Sequence, residues 1–353
     1  MNTLTAEVVV PRAGGPAVSP GSIARYLRRA ARQGGAGEVY LDVLLDERAQ
    51  MGPWEERWLG RLRDGLRDHV ALELFFQAPV GALKPGLGGL VARMEACSKV
   101  LLNGAGREAP PDDWEARLRG FIAELAASGG RGPAVQVRCA GEPGDVELYD
   151  RLAALPGVRG VEIELGEDGE LAAPALSRLF LRWISEDDPN IACYPFYPIL
   201  HQLKIGQPVS LAKEGADRPG LHIDENGGVT FMATHRAGLA PTLNVLTSAP
   251  EDLFRSEAAQ LIRQLADPPT ACRTCCWWPV CGGGAAEHRW SADGEFRNPS
   301  SHCAALDDLY TTVAGTLMQA GLPYDQLEAN LQVAAASRDA ASPGRAMTAG
   351  SAR

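Results

Sequence analysis

The sequence predicts an α/β fold with a mainly parallel sheet, followed by a smaller cysteine-bearing region. Short β-rich runs alternate with helix-like segments through the first half of the chain, and five of the eight cysteines lie between Cys272 and Cys303. Strands that alternate with helices form βα units, and these strands run parallel because each helix returns the chain to the same end of the sheet. With 353 residues, 45% of them hydrophobic, the chain is long enough for two domains that each bury a core.

Six β-rich runs are predicted as strands. They are short, rich in aliphatic and β-branched residues, and bounded by polar or glycine-containing turns: Ala6 to Val10, Val39 to Leu45, Val70 to Phe76, Val100 to Leu102, Ala134 to Cys139 and Val161 to Leu165. Strands of this kind, buried on both sides, suit either a barrel-like or an open α/β arrangement. Periodicity alone does not choose between the two.

Each predicted strand is followed by a segment whose apolar residues recur at helical spacing. One example is the stripe of Trp54, Trp58, Leu62 and Leu66, and Asp113 offers an N-cap for a later helix. Such stripes are typical of helix faces that pack on a core. We therefore interpret the tryptophans as core residues rather than as ligand contacts.

The second half of the chain carries a predicted hairpin and two C-terminal helices. Leu221 to Asp224 and Val229 to Met232 are predicted to be antiparallel strands, joined by the turn dipeptide Asn226-Gly227. An apolar stripe from Leu306 to Leu317 predicts one helix, and Pro323 marks the start of another.

Charge and hydropathy exclude two classes of partner. The formal net charge is −10, and contacts with phosphates need basic patches, so we expect no nucleic-acid partner. No apolar run reaches the roughly 18 residues of a membrane-spanning helix, so we expect no membrane partner. The segment Met1 to Glu7 lacks the basic start and apolar core of a secretory signal, which predicts a cytoplasmic protein with reduced cysteines.

The cysteines near the C-terminus have the spacing of a metal site. Cys272, Cys275 and Cys281 form C-x2-C-x5-C, and Cys303 follows after a gap of 21 residues. Thiolates ligate iron–sulfur clusters and structural zinc, and the glycine run after Cys281 lets the backbone pass close to a bulky inorganic group. Structural zinc usually has two C-x2-C knuckles, so the long last gap favours an iron–sulfur cluster, with zinc open as the alternative.

The segment from Cys272 to Cys303 resembles the SPASM domain, the C-terminal auxiliary-cluster domain of radical SAM enzymes that modify peptides. The resemblance implies that Cys272, Cys275, Cys281 and Cys303 ligate one [4Fe-4S] cluster. Members of the family usually bind a second, inner cluster as well. Ala285 stands where the inner cluster has a cysteine, and the predicted hairpin contains none, so the resemblance implies that the inner cluster is lost.

The resemblance also implies a partial (β/α)6 barrel before the SPASM domain, with two departures. Radical SAM enzymes carry C-x3-C-x2-C after the first strand, but this chain contains no such motif, and its segment Pro11 to Pro20 has no cysteine. The second strand of the family ends in Gly-Gly-Glu-Pro, which grips the methionine amine of S-adenosylmethionine (SAM); here it ends in Leu44-Leu45-Asp46-Glu47. We therefore predict a degenerate barrel that binds no SAM.

These observations predict three regions along the chain. Residues 1–190 form the degenerate radical-SAM-like barrel, residues 191–336 form the SPASM-like domain, and residues 337–353 form a disordered tail. The polar, proline-broken segment Asp187 to Asn190 is the predicted linker. The tail is rich in small residues and has no apolar stripe.

The remaining cysteines and histidines are predicted to have structural roles. Cys97, Cys139 and Cys193 lie in apolar segments, as expected for buried free thiols. Cys276 adjoins a ligand and is expected to point elsewhere, beside the cluster or into the core. Four histidines are expected to be exposed or hydrogen-bonded, with a hydrogen bond to a cluster sulfur as the alternative: His222, His235, His288 and His302. No catalytic residue is assigned, because no Ser/His/Asp or Cys/His signature stands out.

The leading functional hypothesis is an accessory protein in the maturation of a ribosomally made peptide. It would bind the precursor peptide, or deliver electrons, while a partner enzyme does the chemistry, because the outer cluster site is kept and the SAM site is erased. Two alternatives stay open: a redox enzyme that modifies a peptide through the remaining cluster, and a protein whose metal, zinc included, is purely structural.

Overall fold

The chain forms two compact units that interleave along the sequence. The computed structural model describes residues 2–11, 18–33, 36–45, 53–67, 71–93, 97–105, 112–127, 133–140, 145–165, 173–206 and 220–341. The first unit comprises Met1–Cys139, Asp150–Glu162 and Arg218–Gln260, and the second comprises Ala140–Tyr149, Ile163–Asp217 and Leu261–Arg353. The predicted domains are consecutive, whereas these units alternate, so the domain assignment stays a prediction.

Strands and helices alternate through the first half of the chain, as the apolar pattern predicts. The elements are β1 (Asn2–Val9), α1 (Pro20–Gln33), β2 (Ala36–Leu44), α2 (Pro53–Arg67), β3 (Ala71–Pro79), α3 (Leu87–Arg93), β4 (Cys97–Ala105), α4 (Trp114–Ala127), β5 (Ala134–Ala140), α5 (Asp145–Ala153), β6 (Val158–Glu164) and α6 (Ala173–Glu186).

Shorter elements dominate the second half. They are β7 (Ala192–Tyr194), α7 (Phe196–Ile205), β8 (Leu221–Ile223), β9 (Gly228–Phe231), α8 (Met232–Arg236), β10 (Leu243–Asn244), α9 (Pro250–Arg255), α10 (Glu257–Arg263), α11 (Trp278–Cys281), α12 (Cys303–Gln319) and α13 (Tyr324–Ala341). Helix α13 extends into the tail predicted from residue 337, and residues 342–353 of that tail lie outside the described residues.

The sheet of the first unit is mainly parallel. Strands β1 to β6 lie side by side in sequence order, and the pairs from β1 to β5 are parallel. On the other side of β1 lies β8, also parallel, followed by antiparallel β9 and β10. The predicted hairpin around Asn226-Gly227 is therefore confirmed, and Gly227 takes a left-handed φ of +80° in its turn. The hairpin extends this sheet although it falls within residues 191–336.

The register of the strands separates an apolar face of the sheet from a polar one. Val8, Val43 and Phe76 on the apolar face are at most 1% exposed. On the opposite face, which we call the polar face, neighbouring residues of five strands form one cross-strand row: His222, Glu7, Asp42, Phe75 and Lys99. Glu7 and Asp42 are each only 6% exposed. Buried carboxylates require partners, so this face is built for polar contacts.

The second unit contains a helical core in which α7 packs against both α6 and α13. Phe180 and Trp183 of α6 pack on Phe196 of α7, with ring centroids 5.7 and 6.1 Å away from it. The buried amide of Asn330 donates to the carbonyl of Leu203 at 2.9 Å and also to that of Lys204, which holds α13 against the end of α7. Among the helices described, none combines the length and the apolar character that crossing a membrane requires.

Candidate metal centre

The four cysteines predicted as ligands all belong to the second unit and lie on short, tightly turned segments. Cys272 ends a 3-10 turn, and the amide of Cys275 donates to its carbonyl at 3.2 Å. Cys281 is the last residue of α11, and Cys303 is the first residue of α12. Turns of this kind let thiols that are distant in sequence approach one another.

Electrostatic interactions connect all four thiols. Burial, followed by the charges of Cys303 and Cys275, raises the pKa of Cys272. Burial raises the pKa of Cys281 to about 11, and Cys272 and Cys303 add to this rise. Burial also raises the pKa of Cys303, with Cys275 contributing next. The thiols therefore lie close enough to oppose one another's ionisation, and a cation between them would favour the thiolate forms.

A run of three left-handed glycines shapes one wall of the centre. Gly282, Gly283 and Gly284 have φ values of +65°, +86° and +83°. The amides of Gly283 and Gly284 hydrogen-bond to the thiol of Cys281, which opposes the effect of burial on its pKa. Amide donors to a ligand sulfur are typical of iron–sulfur sites, where they help to set the reduction potential.

The glycine at 284 is required by both conformation and space. A Cβ at this position would lie 2.7 Å from the Cβ of Ser300, and the left-handed backbone disfavours any L side chain. We predict that Gly284→Ala lowers the free energy of unfolding by about 2–5 kcal/mol, from about 1–2 for the conformation and about 1–3 for overpacking. Urea unfolding, together with the iron content after reconstitution, measures both consequences.

Gly315 provides the matched control for this substitution. It lies in α12, and a Cβ there would meet no atom within 4 Å. Gly315→Ala should leave the metal content unchanged and stabilise the helix by about 0.5–1 kcal/mol. Equal stability of the two alanine variants would contradict the role assigned to Gly284.

A buried guanidinium lies beside the cysteine turn. Arg289 is 2% exposed and donates to the backbone carbonyls of Asn298, Leu265 and Asp267 at 3.2–3.3 Å. Its positive charge lowers the pKa of Cys272 and so partly offsets the rise caused by burial. A fixed cation next to several thiolates favours an anionic metal–thiolate group, so this residue fits such a centre.

Aromatic and histidine side chains complete the surroundings. Trp277 stacks on Tyr310 with centroids 5.5 Å apart, and its indole nitrogen donates to Asp307 at 2.8 Å. His302 is completely buried, and its ring meets that of His288 edge-on at 4.3 Å. His302 is therefore not exposed, although exposure is one of the two environments expected for it from the sequence. Cys276 is exposed, which excludes the core position considered for it.

The spacing of the sulfurs bears on the kind of metal. Among the described residues, no three cysteines have sulfur atoms that all lie within 4.8 Å of one another. Four thiolates on one zinc ion, each about 2.3 Å from it, stand roughly 3.8 Å apart. In a [4Fe-4S] cluster each thiolate binds a different iron, so the sulfurs stand farther apart. Four thiols are a donor set that a [4Fe-4S] cluster accepts, and among the described residues no three of them are drawn together as closely as one zinc ion requires.

A second group of ligand-type side chains lies on the polar face of the first unit. His222 Nδ1 lies 2.8 Å from the Oε1 atom of Glu7, and the ring of His235 stacks on that of His222 at 3.4 Å. Burial raises the pKa of Glu7, but the hydrogen bond from His222 and the charge of Arg236 outweigh it and lower this pKa below its usual value. Sequence reasoning missed this group. The available signal was a polar residue between apolar ones in each strand, Ala6-Glu7-Val8 and Leu221-His222-Ile223.

The other cysteines behave as structural thiols. Cys139 and Cys193 are 2% and 0% exposed, as their apolar segments predict, and Cys97 is partly exposed. Burial raises the pKa of Cys97 to about 11, so its thiol is protonated at neutral pH. These properties are those of inert core cysteines.

Comparison with known proteins reveals similarity at the level of structure alone. No protein-family model and no curated protein matches the sequence. A solved structure described as native anSMEcpe with bound AdoMet and Cp18Cys peptide is similar, with a TM-score of 0.66 and 10% sequence identity. The match covers 90% of this chain and 98% of that one. The two chains share a fold, and the expected α/β fold of the partial-barrel type is confirmed.

Proposed function

We propose that this protein binds one [4Fe-4S] cluster through Cys272, Cys275, Cys281 and Cys303 and acts in the maturation of a ribosomally made peptide without cleaving SAM. Its role is that of an accessory protein that binds the precursor peptide while a partner enzyme modifies it. The observation that carries the proposal is a complete set of four thiols on a fold whose SAM-cluster motif is missing from the sequence.

Three features of the second unit support a cluster rather than zinc. No three sulfurs of the described cysteines lie within 4.8 Å of one another, the amides of Gly283 and Gly284 hydrogen-bond to the Cys281 sulfur, and Arg289 supplies a buried positive charge. When bound, such a cluster supplies one-electron transfer or a rigid cross-link between segments. The thiolates bind it, the amides stabilise the Cys281 sulfur, and Arg289 offsets negative charge.

Two observations support peptide binding. The similar solved structure contains a peptide, and the first unit offers a partly buried polar face lined by carboxylates. The Asp42 carboxylate on this face suits the backbone amides or basic side chains of an extended segment. The acidic net charge of −10 also favours a basic precursor.

Metal analysis tests the cluster. Protein purified and reconstituted anaerobically should contain about four irons and about four sulfides per chain and show sulfur-to-iron absorption in the visible range. Stoichiometric zinc without that absorption would contradict the cluster and favour the structural zinc alternative. Holding the sample under anaerobic conditions is essential, because oxygen destroys exposed clusters and leaves a false zinc-only result.

Copurification tests the accessory role. Anaerobic pull-down followed by mass spectrometry should recover a short genetically encoded peptide and a modifying enzyme with the intact protein. Purified protein alone should leave that peptide unmodified. Turnover of the peptide by the isolated protein would overturn the accessory role and favour a redox enzyme.

A further inference from the structure

The group formed by Glu7, His222 and His235 has the composition of a metal site and plays no part in the function proposed above. Glu7 and His222 are direct neighbours on parallel strands β1 and β8, and His235 comes from α8, which follows β9. Ligand atoms of all three residues lie within 4.8 Å of one another. Among the described residues, no other group of three His, Cys, Asp or Glu side chains meets this distance.

We propose that Glu7, His222 and His235 bind one divalent first-row transition ion, with the rest of its coordination sphere open to solvent. Two imidazoles and one carboxylate are a common donor set for Zn²⁺, Fe²⁺ and Co²⁺. Glu7 and His222 are 6% and 2% exposed, whereas His235 is exposed. Two ligands therefore come from the buried sheet, and the third closes the site from the outside.

The distances fit this assignment. Two ligand atoms that are each about 2.1 Å from one ion stand roughly 3.0–3.4 Å apart, depending on the angle between them. His222 Nδ1 and Glu7 Oε1 are 2.8 Å apart, a few tenths of an ångström less. Small side-chain shifts are enough to admit an ion between these two atoms.

The third ligand has to turn before it can bind. The rings of His222 and His235 are nearly parallel, with an angle of 7° and a centroid distance of 3.4 Å, so one ion cannot lie in both ring planes. His235 is exposed, so its side chain can change between staggered rotamers and turn towards the ion.

The surroundings hold the site in place. Thr230 is the neighbour of His222 in the β8–β9 pair, and its hydroxyl contacts that of Thr234 at 2.8 Å. The Thr234 hydroxyl donates in turn to the carbonyl of Phe231, which fixes α8 and hence the position of His235. The second oxygen of Glu7 lies 3.8 Å from Arg236, so its first oxygen remains directed towards His222.

A titration with Co²⁺ tests the site. In anaerobically reconstituted protein the cluster occupies the four proposed ligand cysteines, so added Co²⁺ reports on other sites. We expect one Co²⁺ per chain by equilibrium dialysis, with the visible absorption of a nitrogen- and oxygen-ligated ion and without the sulfur-to-cobalt band that cysteine ligation produces. Iron and sulfide are measured on the same samples. These contents test the cluster, whereas the bound Co²⁺ tests the second site, so either proposal can fail without the other.

Substitutions identify the ligands. His235→Ala should weaken Co²⁺ binding at least tenfold, and Glu7→Gln should do the same. His235 is exposed, so its variant should stay folded, which circular dichroism checks. His201→Ala is the matched control, because His201 is a partly exposed histidine of α7 that stacks on Tyr197. Failure of the wild-type protein to retain Co²⁺, or an equal loss in His201→Ala, would overturn the proposal.

Discussion

Replacement of Cys281 by serine is expected to abolish the metal centre and destabilise the second unit. A hydroxyl is a poor ligand for iron compared with a thiolate, so we expect the iron content to fall at least about fivefold. A ligand that binds only the folded state stabilises it by about 4 kcal/mol at a thousandfold excess over its dissociation constant, and this stabilisation disappears with the cluster. Iron assays and urea unfolding under anaerobic conditions measure both effects.

Cys276 offers a close control for this experiment. It lies five residues before Cys281 in the same turn, yet its side chain is exposed. Cys276→Ser should retain the iron, the sulfide and the stability of the wild-type protein. If Cys276→Ser lost the cluster and Cys281→Ser kept it, the assignment of the ligands would be wrong.

The reduced and reconstituted protein is expected to produce no 5′-deoxyadenosine from SAM above a protein-free control. Cleavage of SAM requires a cluster held by three thiolates, with one iron left open to the cofactor. The first βα connection offers no cysteine, and in the proposed function the four downstream cysteines fill all four corners of their own cluster. Chromatography of the reaction mixture, with a competent radical SAM enzyme as the positive sample, measures the product.

If product does form, the same assay on Cys272→Ala shows whether the downstream cluster is responsible. Product in the wild-type protein that disappears in Cys272→Ala would make the downstream cluster catalytic and contradict the accessory role. Product that persists in Cys272→Ala would point to contamination by another enzyme.

Local patterns in the sequence predict the strands and helices of the first half well, because each element has apolar residues at the spacing of its own secondary structure. The stripe through Trp58 and Leu62 marks the buried face of α2, and both residues are at most 5% exposed. Helix α7 has no such signal, since Pro198 and two aromatic residues, Phe196 and Tyr197, lie among its ten positions. The proline is tolerated because it lies in the first turn, where backbone amides lack helical partners.

Long-range contacts explain what the sequence cannot predict. Cys272, Cys275 and Cys281 are close in the sequence, so their spacing alone predicts a metal site. Glu7 and His222 are 215 residues apart, and only the pairing of β1 with β8 brings them together. No local pattern encodes which distant strand will lie beside β1, so the histidine and carboxylate group emerges from the structure alone.

The pairing of β1 with β8 also has a consequence during synthesis. At about 5–20 residues per second, the ribosome needs roughly 10–40 s to make the 215 residues between Glu7 and His222. Throughout that time one edge of β1 has no backbone partner from β8, although β2 can already cover the other edge. An unpaired strand edge of this kind is prone to intermolecular strand addition.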